Sequence, residues 1–466
     1  MRAAVVGGGI AGLSAAWELT SGGADVTVYE PGQLGGKLRT SAFLGRPVDE
    51  GPDALLARVP EGVTLCEELG LADDLVAPAA SKALLYTRGR LRALPDGLVL
   101  GAPARLLPLA RSGILSPLGM LRAAGDIVLP STHVSDDESV FDIVARRFGR
   151  EVADRLIEPL VGSIYAGTTR GLSAATTAPQ LLRAASRGRS LLLSLRASSP
   201  GSAGGPSPSA GPTFLAPRGG LQAIVDTLVQ QLRERGARFE PLEVLAISAG
   251  DKGRGPVSVS TASGASAHDA AVLAVPAPAA AGLLSGTVAA SAYLRSVQLS
   301  SVAIVTLGVA AGALPVPEGT SGVLVAPGTG MFTTAVSFGS RKWPHWCAPG
   351  TEVVRVSVGK IGDDRWLALD DGELVARIRA ELGTILSCPA PTLVDGGSRV
   401  SRWPSSLPQY PVGHLGKISS LKAEIARVAP VLAVAGASFG RVGVPANIAA
   451  GREAARSLLG PGPSDR

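Results

Sequence analysis

The chain has 466 residues, more than one compact core can serve, and so predicts two or three domains. Hydrophobic residues make up 46%, which excludes the disordered class. The formal net charge of +6 is mild and comes without basic runs interleaved with aromatics. That excludes a nucleic-acid binder and suits an anionic small molecule or an acidic membrane surface.

The chain opens with AAVV at 3–6, short and apolar, which reads as a buried parallel strand. Gly7, Gly9 and Gly12 follow in the pattern G-x-G-x-x-G, and LSAAWELTSGG continues as a helix stopped by Gly22 and Gly23. ADVTVYE at 24–30 predicts a second strand ending on Glu30, 21 residues after Gly9. Each glycine has a distinct task in a dinucleotide fold. The first makes the turn, the second admits a pyrophosphate to the backbone, and the third lets helix and strand pack closely. The helix N-terminus then offers free N–H groups to phosphate, and a terminal Glu suits an unphosphorylated ribose, as in FAD or NAD. A glycine-rich turn without ligand is the bland alternative; the complete strand–helix–strand–acid context favours the ligand.

GQLGGKLRT at 32–40 adds a second glycine pair and Lys37, and DEGPDALL follows at 49–56. Residues 55–82 read as a short helical region, in which EGVTLCEELGLADDL carries apolar side chains at helical spacing that read as core. The stretch 82–122 holds Lys82, Arg88, Arg90, Arg92, Arg105, Arg111 and Arg122 against one acid, Asp96. A solvated basic face, a membrane-surface segment and a lining for an anionic substrate all fit it. At 139–167, Phe141, Val144, Phe148, Val152 and Leu156 predict one amphipathic helix. The uncharged, low-complexity stretch 197–212 predicts a loop or linker.

Residues 221–248 read as helix, turn and strand, and AAVLAVPAPAAAGLL at 270–284 as a strand ending at Pro276. The latter is too short, and broken by two prolines, to cross a bilayer. Several β-like runs fill 296–400, with a helix at 371–382. The last unit, from Val431, reads as strand, glycine-rich turn and helix, with Pro445 in its first turn. Cys66, Cys347 and Cys388 form no CxxC pair and indicate a reducing compartment. His133, His268, His345 and His414 lie far apart, so no metal site is expected. The triple glycine interrupts the apolar start, which argues against a signal peptide. The expected location is cytoplasmic, with peripheral membrane contact left open.

GQLGGKLRT and DEGPDALL in register with the first motif resemble the FAD-binding start of the flavin amine oxidase superfamily. Longer segments narrow this: LIEPLVGSIYAGTTRGLSA, KWPHW, RVSVGKIGDD, SRWPSSLPQYPVGHLGKI and GASFGRVGVPANIAAG occur in the order seen in oxygen-dependent protoporphyrinogen and coproporphyrinogen oxidases. The chain resembles that family, and within it the bacterial coproporphyrinogen III oxidase type, over nearly its whole length. The resemblance implies an α/β (α+β) fold: a discontinuous Rossmann-like FAD-binding domain (1–58, 213–288 and 401–460), a helical domain (59–200), a β-rich substrate domain (289–400) and a tail (461–466).

It also implies FAD contacts. Gly7, Gly8, Gly9, Ile10, Ala11 and Gly12 meet the pyrophosphate; Glu30 and Pro31 meet the adenosine ribose. Lys37, Gly51, Pro52, Asp53 and Ala54 line the flavin end, and Val244 offers backbone to adenine. Trp403 lies near the flavin, and Val442, Gly443 and Val444 precede a helix aimed at its pyrimidine edge. Taken alone, Val244, Val444 and Trp403 would read as core. Ala54 and Leu407 stand where the family commonly has Ser and Met. The implied activity is hydride removal from a porphyrinogen by FAD with O2 as acceptor and H2O2 as product, upstream of a ferrochelatase. No acid–base constellation is evident, in keeping with a reaction that needs little general-base help. The four propionates of coproporphyrinogen need bases, for which Arg58 and the 82–122 stretch are candidates. An amine oxidase, a desaturase, or a flavin-free carrier of the same fold stay open as rivals; the absence of a cysteine after Cys388 argues against covalently attached flavin.

Overall fold

The strand Arg2–Val6 is buried from Ala3 onward and lies at the centre of a five-stranded, all-parallel sheet. Its neighbours are Asp25–Tyr29 and Ala270–Leu273; Arg238–Glu240 and Leu432–Val434 form the edges. Side chains alternate between the two faces, as the pleat requires. Ala3 and Val5 pack with Leu13, Val225 and Ile448, from the helices Ile10–Ser21, Gln222–Glu234 and Val444–Leu459. Ala4 and Val6 pack on the other face with Ala280, Ile418 and Leu421, and with Val257 and Val259 of a three-stranded antiparallel meander. Cover on both faces is why these strands are runs of small and β-branched apolar residues.

This computed structural model describes residues 1–130, 133–198, 211–250, 253 and 255–460. Most of the linker expected at 197–212, and all of the tail at 461–466, lies outside the described residues.

A second, seven-stranded sheet runs in the order Leu393–Pro408, Leu299–Ala310, Thr351–Val358, Thr333–Ser337, Thr320–Val325, Lys82–Thr87 and Arg90–Ala93. Its pairings are antiparallel except that of Thr320–Val325 with Lys82–Thr87. The strand Leu393–Pro408 runs across the boundary expected at 400/401, and Lys82–Ala93 joins this sheet rather than the helices that follow it. Trp403 is therefore presented by this second sheet.

The helices between Leu106 and Ala197 enclose a core of their own, including Phe141, Phe148, Leu156 and Leu181. The single helix expected at 139–167 is broken. Val140–Phe148 ends at Gly149, which has φ +91°. A wide-turned π-helical segment, Ala153–Gly162, then carries Pro159. Proline lacks an amide donor and crowds the preceding turn, so the widened turn is where the chain can accept it. Among the described residues no helix is long and apolar enough to cross a membrane.

Candidate active site

The three glycines of the first turn hold three different environments. Gly7 has φ +103°, and a Cβ there would stand 2.6 Å from the carbonyl oxygen of Ala274. A Cβ on Gly12 would overlap the carbonyl of Gly7. On Gly9 it would meet no described atom within 4 Å. So Gly7 makes the turn, Gly12 permits close packing of helix on strand, and Gly9 faces open space at the helix N-terminus. Gly9 is the N-cap residue; no described side chain caps the helix, and its first turn among the described residues carries no acid. The exposed amide donors and the helix dipole therefore favour an anion there. Ile10 and Ala11 begin the helix, half-buried and buried respectively.

The second glycine pair packs onto the first. Gly35 donates to the carbonyl of Gly8 (2.8 Å) and bridges to Gly9. Gly36 has φ +61° and lies so close that its Cβ would be 3.3 Å from the Gly9 Cα. The Glu30 carboxylate accepts from the Gly8 amide (2.8 Å) and the Gly32 amide (2.9 Å), which fixes its orientation and leaves lone pairs for a further donor. Pro31 beside it is exposed. Lys37 is accessible to solvent, yet the protein around it desolvates its ammonium and lowers its pKa.

Residues 49–54 pass between the two sheets. A Cβ on Gly51 would overlap the Lys37 carbonyl and lie 3.6 Å from the Trp403 ring. Trp403 donates its indole N–H to the Glu50 carbonyl (3.0 Å), and the Arg39 guanidinium stands 5.2 Å over its ring. Pro52 is exposed and Ala54 half-buried. Asp53 is committed to the second sheet's side: its Oδ2 accepts from Lys342 Nζ (2.9 Å) and Trp343 Nε1 (3.2 Å) and lies 3.5 Å from Arg355 Nη1. Burial alone would raise its pKa; the charges of Lys342 and Arg355 outweigh this and hold it at about 2. Arg355 also donates to the Gly51 carbonyl. Arg399, on the edge strand Leu393–Pro408, donates to Ser41 Oγ (2.6 Å) and the Val48 carbonyl (3.1 Å).

Asp49 contrasts with Asp53. It is 1% exposed, and its Oδ1 accepts from Thr40 Oγ1 (2.5 Å) and the Leu221 amide (2.9 Å). Its Oδ2 finds no hydrogen-bond partner among the described residues. Burial pushes its pKa up to about 6, against the pull of those two donors.

The last helix closes this side. Gly443, at φ +123°, is the N-cap residue of Val444–Leu459, again with no side-chain cap among the described residues and no acid in the first turn. Val442 is half-buried and Val444 buried in the core. A Cβ on Gly451 would overlap the Ala11 carbonyl, so the first and last helices cross backbone to backbone. Val244, by contrast, packs its side chain into the opposite core, with Tyr29 and Val257.

A cavity of about 290 Å3 lies between the π-helical segment, the Val325–Thr334 connection and the Lys360–Arg365 turn. Its described lining contains none of the basic residues of 82–122. Arg88, Arg90, Arg105 and Arg111 are exposed, and Arg122 caps the carbonyls of Arg146 and Arg147 (2.7 Å each). The exposed arginines of that stretch lie away from this cavity, and Arg122 has a structural role. Sequence reasoning named no role for Arg355, Lys342, Asp49, Gly451 or Lys360. Arg355 had a signal: it is a charge set inside the apolar run VVRV, between Val354 and Val356, both 0% exposed. Gly451 had none, because its constraint lies in the other helix.

An open-faced glycine at an uncapped helix N-terminus, a fixed acid at the end of the second strand, and a second uncapped helix fit an adenine dinucleotide. This is the architecture of a flavin-dependent oxidoreductase. The chain belongs to the flavin-containing amine oxidoreductase family, whose model matches residues 10–459. It is 31% identical over 467 residues to the coproporphyrinogen III oxidase of Bacillus subtilis, covering 98% of this chain and 97% of that one. The coproporphyrinogen III oxidase of Mycobacterium tuberculosis is 35% identical over 467 residues, covering 98% and 96%. A crystal structure from Exiguobacterium sp. 255-15, provisionally named a protoporphyrinogen oxidase, superposes with a TM-score of 0.87 at 28% identity, over 98% of both chains.

Proposed function

We propose that this chain oxidises coproporphyrinogen III to coproporphyrin III, with FAD as its cofactor and O2 as the final acceptor. The observation that carries the reading is full-length similarity to two coproporphyrinogen III oxidases, on a chain whose glycines are shaped for a dinucleotide. FAD supplies a two-electron hydride acceptor that O2 can reoxidise to give H2O2; three such cycles remove the six hydrogens that separate porphyrinogen from porphyrin.

The protein's own share is binding, orientation and electrostatics. Gly7–Gly12 and the first helix receive the pyrophosphate, and Glu30 takes the ribose hydroxyls. Gly51 and Trp403 would border the ring, with Arg355 fixing the Gly51 carbonyl and Asp53 tying that turn to the second sheet. The uncapped N-terminus after Gly443 offers partial positive charge to an electron-rich ring. Hydride loss at a meso carbon leaves a cation that the pyrrole nitrogens stabilise, so a strong general base is unnecessary.

Aerobic turnover of coproporphyrinogen III and protoporphyrinogen IX, side by side with peroxide measured, tests the reading. Faster oxidation of coproporphyrinogen is expected. Preference for protoporphyrinogen would transfer the assignment to the activity for which the Exiguobacterium structure is named, and oxidation of neither would refute both. Peripheral membrane contact is assigned to the helix Pro117–Ala124, through Leu118 and Leu121, and to Val128 in the turn beyond it, each more than 70% exposed. Co-sedimentation with vesicles containing anionic lipid checks that part.

A further inference from the structure

The cavity between the π-helical segment and the second sheet is amphipathic. Pro159, Ala166, Val325 and Met331 give it apolar walls, and four charged side chains reach it. Three of these four are already engaged. Glu158 Oε2 accepts from the amide (2.8 Å) and the hydroxyl of Thr169. Asp363 receives Arg365 on both oxygens, at 2.6 and 2.7 Å. The fourth, Lys360, is half-buried; its charge acts on the Asp363 carboxylate, but its ammonium makes no hydrogen bond within the described residues. A cation with three free donors among apolar walls matches a carboxylate carried on an apolar frame.

The strand register places the backbone that leads into Lys360 near the dinucleotide side. Ala303 pairs with Arg402 on one flank and with Val358 on the other. Trp403 and Gly359, one residue further along, therefore flank Val302 from its two sides. Two inter-strand steps separate them, about 10 Å. Trp403 holds the Glu50 carbonyl at the turn assigned to the flavin end, and Lys360 directly follows Gly359. A cavity of about 290 Å3 is at the lower limit for a drug-sized ligand, so it accommodates one edge of a tetrapyrrole and not the whole ring.

We infer that Lys360 is the anchor for one propionate carboxylate of the substrate, with the pyrrole edge that bears it against Pro159, Ala166 and Met331. This rests on the porphyrinogen reading above. It assigns substrate recognition to the loop after the strand Thr351–Val358 of the second sheet, and not to the arginine-rich stretch 82–122. Lys360 binds and orients; it takes no part in hydride removal.

The test compares the native protein with Lys360→Met and Lys360→Arg, using coproporphyrin III and its tetramethyl ester as fluorescent probes. Lys360→Met should weaken coproporphyrin III about tenfold or more and leave the ester unchanged; Lys360→Arg should stay within about threefold. In turnover, Lys360→Met should raise KM for coproporphyrinogen with kcat within about twofold, because removing uniform binding leaves the chemical step intact. Equal losses for acid and ester would reveal a merely structural role and overturn the assignment. So would unchanged affinity in Lys360→Met when the native protein oxidises coproporphyrinogen normally. Native protein that neither binds the acid nor oxidises coproporphyrinogen would remove the functional reading, and this inference with it.

Discussion

The dinucleotide cradle and the Lys360 cavity are built on opposite principles. The cradle is written in backbone: Gly7, Gly9 and Gly12 act through the space a side chain would fill, and they lie within six residues of one another. The cavity is assembled from three stretches spread over some two hundred residues of sequence, and acts through one side chain that makes no hydrogen bond to its neighbours. A backbone site has a local pattern because its geometry is local. A side-chain site has no pattern until the chain has folded.

The sharpest way to break that comparison lies inside the glycine motif. Gly12→Val places atoms on the Gly7 carbonyl and forces the first helix off its strand. A loss of about 3 kcal/mol in urea unfolding is expected, at the upper end for overpacking, together with loss of flavin. Gly9→Ala, three residues away, meets open space at an ordinary φ of −70°. It should unfold within about 1 kcal/mol of the native protein while flavin affinity falls at least about tenfold. Equal destabilisation by both substitutions would mean that Gly9 serves the fold and not a ligand.

How far each region could be read from sequence follows from the same contrast. The strand–helix–strand start, with Glu30 at its end, was legible because each residue's task depends on near neighbours. The uncapped last helix was legible through Pro445 and the glycines before it. The arginine stretch left three readings open, since charge count says nothing of direction: Arg122 caps helix carbonyls. Arg355 was visible only as an anomaly in an apolar strand, because its partners Gly51 and Asp53 lie some 300 positions earlier. The break at Gly149 and the wide turn around Pro159 were hidden behind a continuous apolar periodicity.

Asp49 and Asp53, four residues apart, extend the comparison to pH. Asp53, held at about 2 against an ordinary 3.8, contributes stability that is present above about pH 4 and lost as pH falls through 2. Asp53→Asn should therefore cost about 2 kcal/mol at pH 7 and progressively less in acid. Asp49 has the opposite sign. Burial raises it from 3.8 to about 6, so the folded state holds a proton that the unfolded state has released. The native protein should lose stability as pH rises from about 4 to 6. Asp49→Asn, which mimics the protonated acid, should stabilise by up to about 3 kcal/mol at pH 8 and make no difference at pH 4. Thermal melts of both variants across that range check the signs; parallel profiles would show that the two carboxylates are not in different environments.

The smallest expected effect is the most discriminating for substrate recognition. Arg90 is exposed at the start of an outermost strand of the second sheet, outside the cavity lining. Arg90→Gln removes one unit of the same charge as Lys360→Met, so long-range attraction for an anionic substrate falls comparably in both. Over such distances salt screens it: the Debye length is about 8 Å at physiological ionic strength. Arg90→Gln should then shift stability by less than about 0.5 kcal/mol and leave KM for coproporphyrinogen within about twofold at 150 mM salt. A similar KM rise in both variants, vanishing at higher salt, would show that the basic face draws the substrate as a whole and that no single contact holds its carboxylate. A rise confined to Lys360→Met, insensitive to salt, is what a desolvated contact inside a cavity produces.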